Sequence, residues 1–187
     1  MKLPLNHALR VLLTTNGLVL LAPVMLGPIY AIYVERIGGD LLDAGFTAAI
    51  FSLSAGLTCL ASGYLSDEYK NPRLIVILGS LIMSLGFLGY LWVDSIWQLF
   101  LVQAIVGLGE AIYYPPYDAL YSSHLNGFKK ATGWAAWESM SYFITAFGAF
   151  IGALIVNRFG FDLLFILMSI LCTSSAIILT RLQKSAL

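Results

Sequence analysis

Two carboxylates, Glu110 and Glu138, lie inside long apolar stretches of this 187-residue sequence. A carboxylate within a membrane helix costs roughly 2.5 kcal/mol or more, so it normally faces protein or a water-filled cavity. In such a cavity a carboxyl group can load and release a proton. A structural hydrogen bond, or a side chain that reaches the membrane interface, is the other interpretation of each acid. We expect the two acids to lie at one depth, about 10 Å from the nearer membrane boundary, and to share one cavity.

Polar and aromatic side chains accompany these acids at helical spacing. Gln103, Glu110 and Tyr114 recur on one face of a helix, because intervals of seven and four residues match its period. Aromatic residues near helix ends are typical of the belt at the membrane interface, which is the favoured interpretation for most of them here. The candidates for proton coupling or solute binding are Glu110, Glu138, Asn16, Gln103, Tyr114, Tyr30 and Trp134.

The composition shows which solvent surrounds these residues. Hydrophobic residues make up 59% of the chain and charged residues 11%, and the mean hydropathy is +0.86. A soluble domain carries about 25% charged residues, so much of this surface must face the lipid bilayer. The formal net charge is zero. These values exclude a disordered chain, a secreted disulfide domain and a nucleic-acid-binding protein.

Six apolar runs are long enough to cross a membrane, since about 20 residues suffice. They predict an all-α polytopic membrane protein in which residues 1–187 form a single six-helix domain. Pro115 and Pro116 are expected to break or kink the fourth helix. The predicted helices cover about 8–34, 44–65, 74–93, 96–117, 131–156 and 161–180.

The basic residues predict the orientation. With six helices, both termini, the 2–3 loop and the 4–5 loop share one side of the membrane. That side carries Lys2, Arg10, Lys70, Arg73, Lys129, Lys130, Arg181 and Lys184, whereas the other carries only Arg36 and Arg158. Positive residues favour the cytoplasmic side. We therefore expect a multi-pass protein of the cell (inner) membrane with both termini cytoplasmic.

The two halves of the chain show a weak internal repeat. At an offset of 89 residues, six identities pair Gly63, Leu65, Leu74, Ile77, Leu78 and Ser80 with Gly152, Leu154, Leu163, Ile166, Leu167 and Ser169. Since each repeat would contain three helices, the two would run in opposite directions across the membrane. Inverted repeats of this kind are typical of transporters.

Small residues predict where helices pack. Helix 2 carries a stripe of Gly45, Ala49, Ser52, Gly56, Cys59, Gly63 and Asp67, and helix 5 carries the pair Gly148 and Gly152. Small side chains let helix backbones approach closely in lipid, so we expect both features to pack. Helices 3 and 6 lack an interior acid or amide and are expected to be the most lipid-exposed.

The sequence lacks the motifs of catalysis and cofactor binding. Cys59 and Cys172 are the two cysteines, too few for a thiolate metal site. No membrane-embedded Ser-His, Cys-His or His-Asp set and no nucleotide-binding loop is present. We expect no enzyme activity, no cofactor and no metal.

The 2–3 loop runs from Gly63 through Asp67 to Arg73, with Lys70-Asn-Pro before the arginine. This loop resembles the signature loop of the major facilitator superfamily, and the chain as a whole resembles the N-terminal six-helix half of that family. In this family the glycine allows a close helix crossing, and the Asp and basic residues form a cytoplasmic gating latch. The resemblance assigns these roles to Gly63, Asp67 and Arg73.

The resemblance implies a secondary transporter that moves a small organic solute by alternating access. Typical members have twelve helices, so we expect a half-size transporter that forms a homodimer, or that pairs with a second six-helix chain. Helices 1, 2, 4 and 5 would then face the two-fold axis, and proton symport or antiport would involve the two acids. The alternative is a non-transporting membrane assembly subunit or the truncated half of a larger transporter.

Overall fold

A computed structural model of the chain describes residues 7–69, 71–125 and 130–181. Within these ranges the fold is all-helical, and six helices are long and apolar enough to cross a membrane. The predicted fold class and number of spans are therefore confirmed. The helices are span 1 (His7–Arg36), span 2 (Leu41–Glu68), span 3 (Pro72–Trp92), span 4 (Ile96–Ser123), span 5 (Lys130–Phe159) and span 6 (Phe161–Arg181).

Two of the spans change helix type along their length. Span 1 consists of an α-helix, His7–Leu26, a 3₁₀ turn, Gly27–Ile29, and a second α-helix, Tyr30–Arg36. The turn contains Pro28, which has no backbone N–H to donate. Span 3 is α-helical over Pro72–Gly89 and ends in a 3₁₀ turn.

Span 4 continues six residues beyond its predicted end at residue 117, to Ser123. Of the expected break or kink at Pro115 and Pro116, the break does not occur, since the helix runs through both prolines. Pro116 cannot donate to the Ile112 carbonyl four residues earlier. The hydroxyl of Ser62 on span 2 donates to that oxygen instead, at 3.3 Å. A neighbouring helix thus satisfies the carbonyl that the proline leaves free.

Local signals define where spans 2 and 6 begin. Asp40 and Asp43 form a capping box at the start of span 2, in which each carboxylate accepts a hydrogen bond from the other residue's backbone N–H. Gly160 alone separates spans 5 and 6 and has a φ of +83°. This left-handed conformation suits glycine and lets the chain reverse within one residue.

The spans pack side by side in the order 2–4–3–6–1–5. Spans 3 and 6 therefore lie in the middle of the bundle, and spans 2 and 5 are its mostly exposed flanks. Within the described part of a single chain, spans 3 and 6 are thus more buried than spans 2 and 5, whereas their exposure to lipid stays a prediction. Their small hydroxyl residues pack instead of facing lipid: Ser84 lies 2.7 Å from Ser169 and 2.8 Å from Thr173.

The inverted repeat stays a prediction, and the packing order agrees with it. Exchanging spans 1, 2 and 3 with spans 4, 5 and 6 gives the same order read from the other end, so each span keeps equivalent neighbours. The predicted offset of 89 residues also relates Ser84 to Thr173, and these two hydroxyls are hydrogen-bonded. A contact between equivalent residues is what a two-fold axis between spans 3 and 6 would produce.

Span 2 packs through a different face from the predicted one. Ser54 donates to the Ala104 carbonyl of span 4 at 2.7 Å. Ser54 lies on the face of span 2 opposite to the small-residue stripe. Along the stripe, a methyl group added to Gly45, Gly56 or Gly63 would meet no atom within 4 Å outside its own stretch of helix. These glycines therefore pack against nothing within the described part of this chain.

Four of the basic residues predicted for the side of the termini are among the described residues: Arg10, Arg73, Lys130 and Arg181. The remaining four, Lys2, Lys70, Lys129 and Lys184, lie outside the described residues.

Span 5 lies against span 1 through two buried glycines. A methyl group on Gly152 would overlap the carbonyl oxygen of Met25. One on Gly148 would lie 2.8 Å from Leu21 Cδ1. Only glycine leaves room for a backbone approach this close.

Replacing Gly152 with alanine should therefore destabilise the protein by about 1–3 kcal/mol, because the added methyl group forces spans 1 and 5 apart. The matched control is Gly45→Ala on span 2, where the added methyl group meets open space. Thermal unfolding in a mild non-ionic detergent, followed by circular dichroism, measures both variants. Equal melting temperatures for Gly152→Ala and the parent protein would contradict this packing.

Candidate solute-binding site

A cavity of about 250 Å³ opens between spans 1, 2 and 4. Side chains of spans 3 and 6 form its floor. Its walls are largely apolar and aromatic, and Tyr30, Gln103 and Glu110 supply its polar groups. The complete lining is Pro23, Leu26, Gly27, Tyr30, Ala48, Phe51, Phe87, Tyr90, Gln103, Val106, Glu110 and Met168.

A directed chain of hydrogen bonds joins the three walls. Gln103 Nε2 donates to the Tyr30 hydroxyl at 2.6 Å, and that hydroxyl donates to Thr47 Oγ1 at 2.7 Å. Thr47 in turn donates to the Ala44 carbonyl at 2.8 Å. Each hydroxyl both donates and accepts, so the chain has one direction. It holds spans 4, 1 and 2 together beside the cavity.

Glu110 occupies the middle of the membrane-spanning bundle. It lies 14 residues from Ile96 and 13 from Ser123, which is about 20 Å from either end of span 4. This distance from the helix end exceeds the expected 10 Å because span 4 is longer than predicted, and the depth of Glu110 in the membrane stays a prediction. Glu110 is partly exposed and lines the cavity. Within the described ranges it has no hydrogen bond or ion pair, so its carboxylate is available to the contents of the cavity.

Glu138 does not join Glu110 in this cavity. It lies eight residues from Lys130, about 12 Å into span 5, and its side chain is exposed. Spans 4 and 5 are on opposite sides of the packing order and meet only near one end, where the Tyr121 hydroxyl donates to the Gly133 carbonyl at 2.6 Å. The expectation that both acids share one depth and one cavity is therefore wrong within a single chain.

The other candidates lie away from the cavity. Asn16 is fully buried and accepts a hydrogen bond from the Tyr113 hydroxyl at 3.3 Å. Its amide nitrogen has no partner among the described residues. Tyr114 packs edge-on against Tyr113, and Trp134 packs edge-on against Tyr121.

Three tyrosines of span 4 form a stacked ladder in the core. Tyr113, Tyr117 and Tyr121 are completely buried and stack at centroid distances of 5.4 and 6.1 Å. Tyr117 donates to the Leu12 carbonyl of span 1 at 3.1 Å. The interfacial-belt interpretation is therefore wrong for Tyr113 and Tyr117, which are buried in the core. The hydroxyls of all three tyrosines connect helices inside the bundle.

The loop assigned to gating links two spans at the end of the bundle. Arg73 Nη2 donates to the Thr180 carbonyl at the end of span 6, at 2.7 Å. Asp67 is exposed near the end of span 2. A methyl group on Gly63 would meet no atom within 4 Å, so this glycine makes no close helix crossing within the described chain.

Sequence reasoning missed the role of Thr47. Thr47 and Ser62 are the buried residues of span 2, and Ser54 lies between them. Intervals of seven and eight residues place all three on one helix face. This pattern of hydroxyls is a usable signal for the packed face, whereas the prediction relies on the stripe of small residues on the opposite face.

Tyr30→Phe should destabilise the protein by about 1–3 kcal/mol, because it leaves the buried Gln103 amide and Thr47 without a shared partner. Tyr142→Phe is the control, since Tyr142 is exposed on span 5 and should tolerate loss of its hydroxyl. Unfolding curves in detergent with increasing dodecyl sulfate provide the comparison. Identical curves for both variants would show that the chain of hydrogen bonds contributes no stability.

Known proteins resemble this chain over most of its length. The sequence profile of the Major Facilitator Superfamily matches residues 12–186. An uncharacterized MFS-type transporter of Bacillus subtilis, YitZ, is 22% identical over 86% of this chain and 97% of its own length. A second from the same organism, YqjV, is 31% identical over 51% of this chain. MJ1560, from Methanocaldococcus jannaschii, is 24% identical over 82% of it.

The lengths of these relatives differ. The matched region covers only 23% of YqjV and 39% of MJ1560, in contrast to nearly all of YitZ. The matched profile, together with six spans in a bundle around a membrane-embedded cavity, shows that this chain belongs to the major facilitator superfamily.

Proposed function

We propose that this protein is a proton-coupled secondary transporter that moves a small organic solute by alternating access. Glu110 carries the proposal: a carboxylate in the middle of an apolar span, without a partner among the described residues, on the wall of a cavity. An ionised group in this position is costly unless a proton or a bound ligand neutralises it. Binding and release of a proton at Glu110 would therefore be linked to occupation of the cavity.

A homodimer would complete the transport pathway. The cavity is open between spans 1, 2 and 4, and the flanking spans 2 and 5 expose large apolar side chains that a single chain does not cover. Span 2 exposes Leu53, Leu57 and Leu60, and span 5 exposes Phe143, Phe147 and Phe150. The small-residue stripe of span 2 adds a surface that another helix can approach closely. Two copies related by an axis along the membrane normal would enclose two Glu110 side chains.

The proposed orientation places both termini in the cytoplasm of a cell with this protein in its inner membrane. Among the described basic residues, Arg10, Arg73, Lys130 and Arg181 lie on the side of the termini. Arg36 and Arg158 lie on the other side. This asymmetry follows the preference of positive residues for the cytoplasm.

Glu110→Gln should abolish solute-dependent proton movement, because glutamine keeps the shape of the side chain but cannot carry a proton at neutral pH. Proteoliposomes containing a pH-sensitive dye measure proton flux when compounds from a metabolite collection are added. The control is Asp162→Asn, which removes a carboxylate at the far end of span 6. Flux that is unchanged in Glu110→Gln would contradict the role of Glu110. Absence of flux with every compound would favour a non-transporting assembly subunit.

Detergent-corrected light scattering should give a protein mass of twice 20.4 kDa. Gly56→Trp should reduce this mass to one copy, because the indole blocks the small-residue stripe. Leu78→Trp is the control, since Leu78 is exposed on the central span 3. A mass of 20.4 kDa for the parent protein would contradict a self-sufficient homodimer and favour a second six-helix chain as the partner.

A further inference from the structure

The charges inside the described spans all have one sign. More than four residues from the end of any described span, the ionisable acids and bases are Glu110, Asp118 and Glu138. No Lys, Arg or His of the described residues lies at that depth. The bases stay at the ends, as Arg10, Arg73 and Arg158 do. Away from the ends of the described spans the carboxylates thus have no basic neighbour of equal depth, with Glu110 and Asp118 partly buried and Glu138 on the exposed flank.

The residues that line the cavity also carry negative and no positive formal charge. Glu110 is its single formally charged residue, and no basic residue among those described lines it. One of the two amide N–H groups of Gln103 is bound to Tyr30, and the other is a neutral donor only. An anionic solute would lose its hydration beside a like charge, which is unfavourable at low dielectric. A neutral solute would bind only beside a protonated Glu110, whereas an organic cation would itself neutralise the carboxylate.

The aromatic walls suit a solute with an organic body. Rings of Tyr30, Phe51, Phe87 and Tyr90 line the cavity around Glu110. Aromatic faces attract organic cations, most strongly where water is excluded. An inorganic cation would find a poor site here, because it requires several oxygen ligands and the cavity has mainly carbon surface.

We propose that the cavity binds an organic cation, with Glu110 as its counterion and the aromatic rings as its apolar contacts. This assignment rests on the proposed transport function, since it names the class of solute. It favours organic cations over organic acids and neutral sugars as the main solutes. The assignment is based on the charges within the described spans and on the residues that line the cavity, and it does not require the dimer.

Binding to the purified protein in dodecyl maltoside tests the assignment without requiring transport. Equilibrium dialysis compares radiolabelled phenyltrimethylammonium with radiolabelled benzenesulfonate, two single-ring ions of opposite charge. We expect saturable binding of phenyltrimethylammonium and no binding of benzenesulfonate above the detergent background. Glu110→Gln should weaken cation binding by about tenfold or more, as expected when a desolvated charge loses its partner.

Two further variants make the result specific. Asp162→Asn removes an equal charge from the exposed far end of span 6 and should leave the affinity unchanged. Glu110→Asp keeps the charge and should retain the preference for the cation. Absent cation binding, equal binding of both ions, or unchanged affinity in Glu110→Gln would each overturn the assignment. Solute-dependent proton flux in proteoliposomes would still support transport in those cases, so the two proposals can fail separately.

Discussion

Lipid cannot hydrogen-bond to a polypeptide backbone, and this constraint organises the packing of span 4. Pro116 leaves the Ile112 carbonyl without its helical donor, and Ser62 of span 2 supplies another. Ser54 makes a similar bond to the Ala104 carbonyl two turns away. These two bonds fix the face that span 2 presents to span 4, and they leave its opposite, small-residue face outside the bundle. The exposed flank follows from this choice of face.

The cavity depends on the same arrangement. Because Thr47 shares the hydroxyl face with Ser54 and Ser62, it meets Tyr30, which also binds Gln103. This hydrogen-bond chain satisfies the polar groups on one side of the cavity. Glu110 is outside the chain and keeps its carboxylate free for the cavity. The division suits a binding site: neutral polar groups maintain the structure, whereas the charged group is reserved for a proton or a solute.

The predicted inverted repeat would connect the architecture of the bundle to the proposed dimer. Spans 3 and 6 meet through equivalent hydroxyl residues in the centre, so each three-helix unit directs its second helix to a flank. Those flanks are spans 2 and 5, which expose apolar surface. In a dimer with a two-fold axis they would border the solute path on both sides. The exposed aromatic residues of span 5 and the open stripe of span 2 then have a common explanation.

Composition and short-range spacing were enough to establish the membrane environment, the number of spans and the position of Glu110 inside one of them. Each follows from hydrophobic runs and from the cost of a charge in lipid. The predicted repeat at an offset of 89 residues also pairs Ser84 with Thr173. Contacts between distant spans settled which face of span 2 packs, whether Pro115 and Pro116 end a helix, and whether Glu138 joins Glu110. Those outcomes depend on donors that another helix contributes, such as Ser62 for the Ile112 carbonyl. The period of a single helix shows which residues share a face, but it does not show which face another helix will cover.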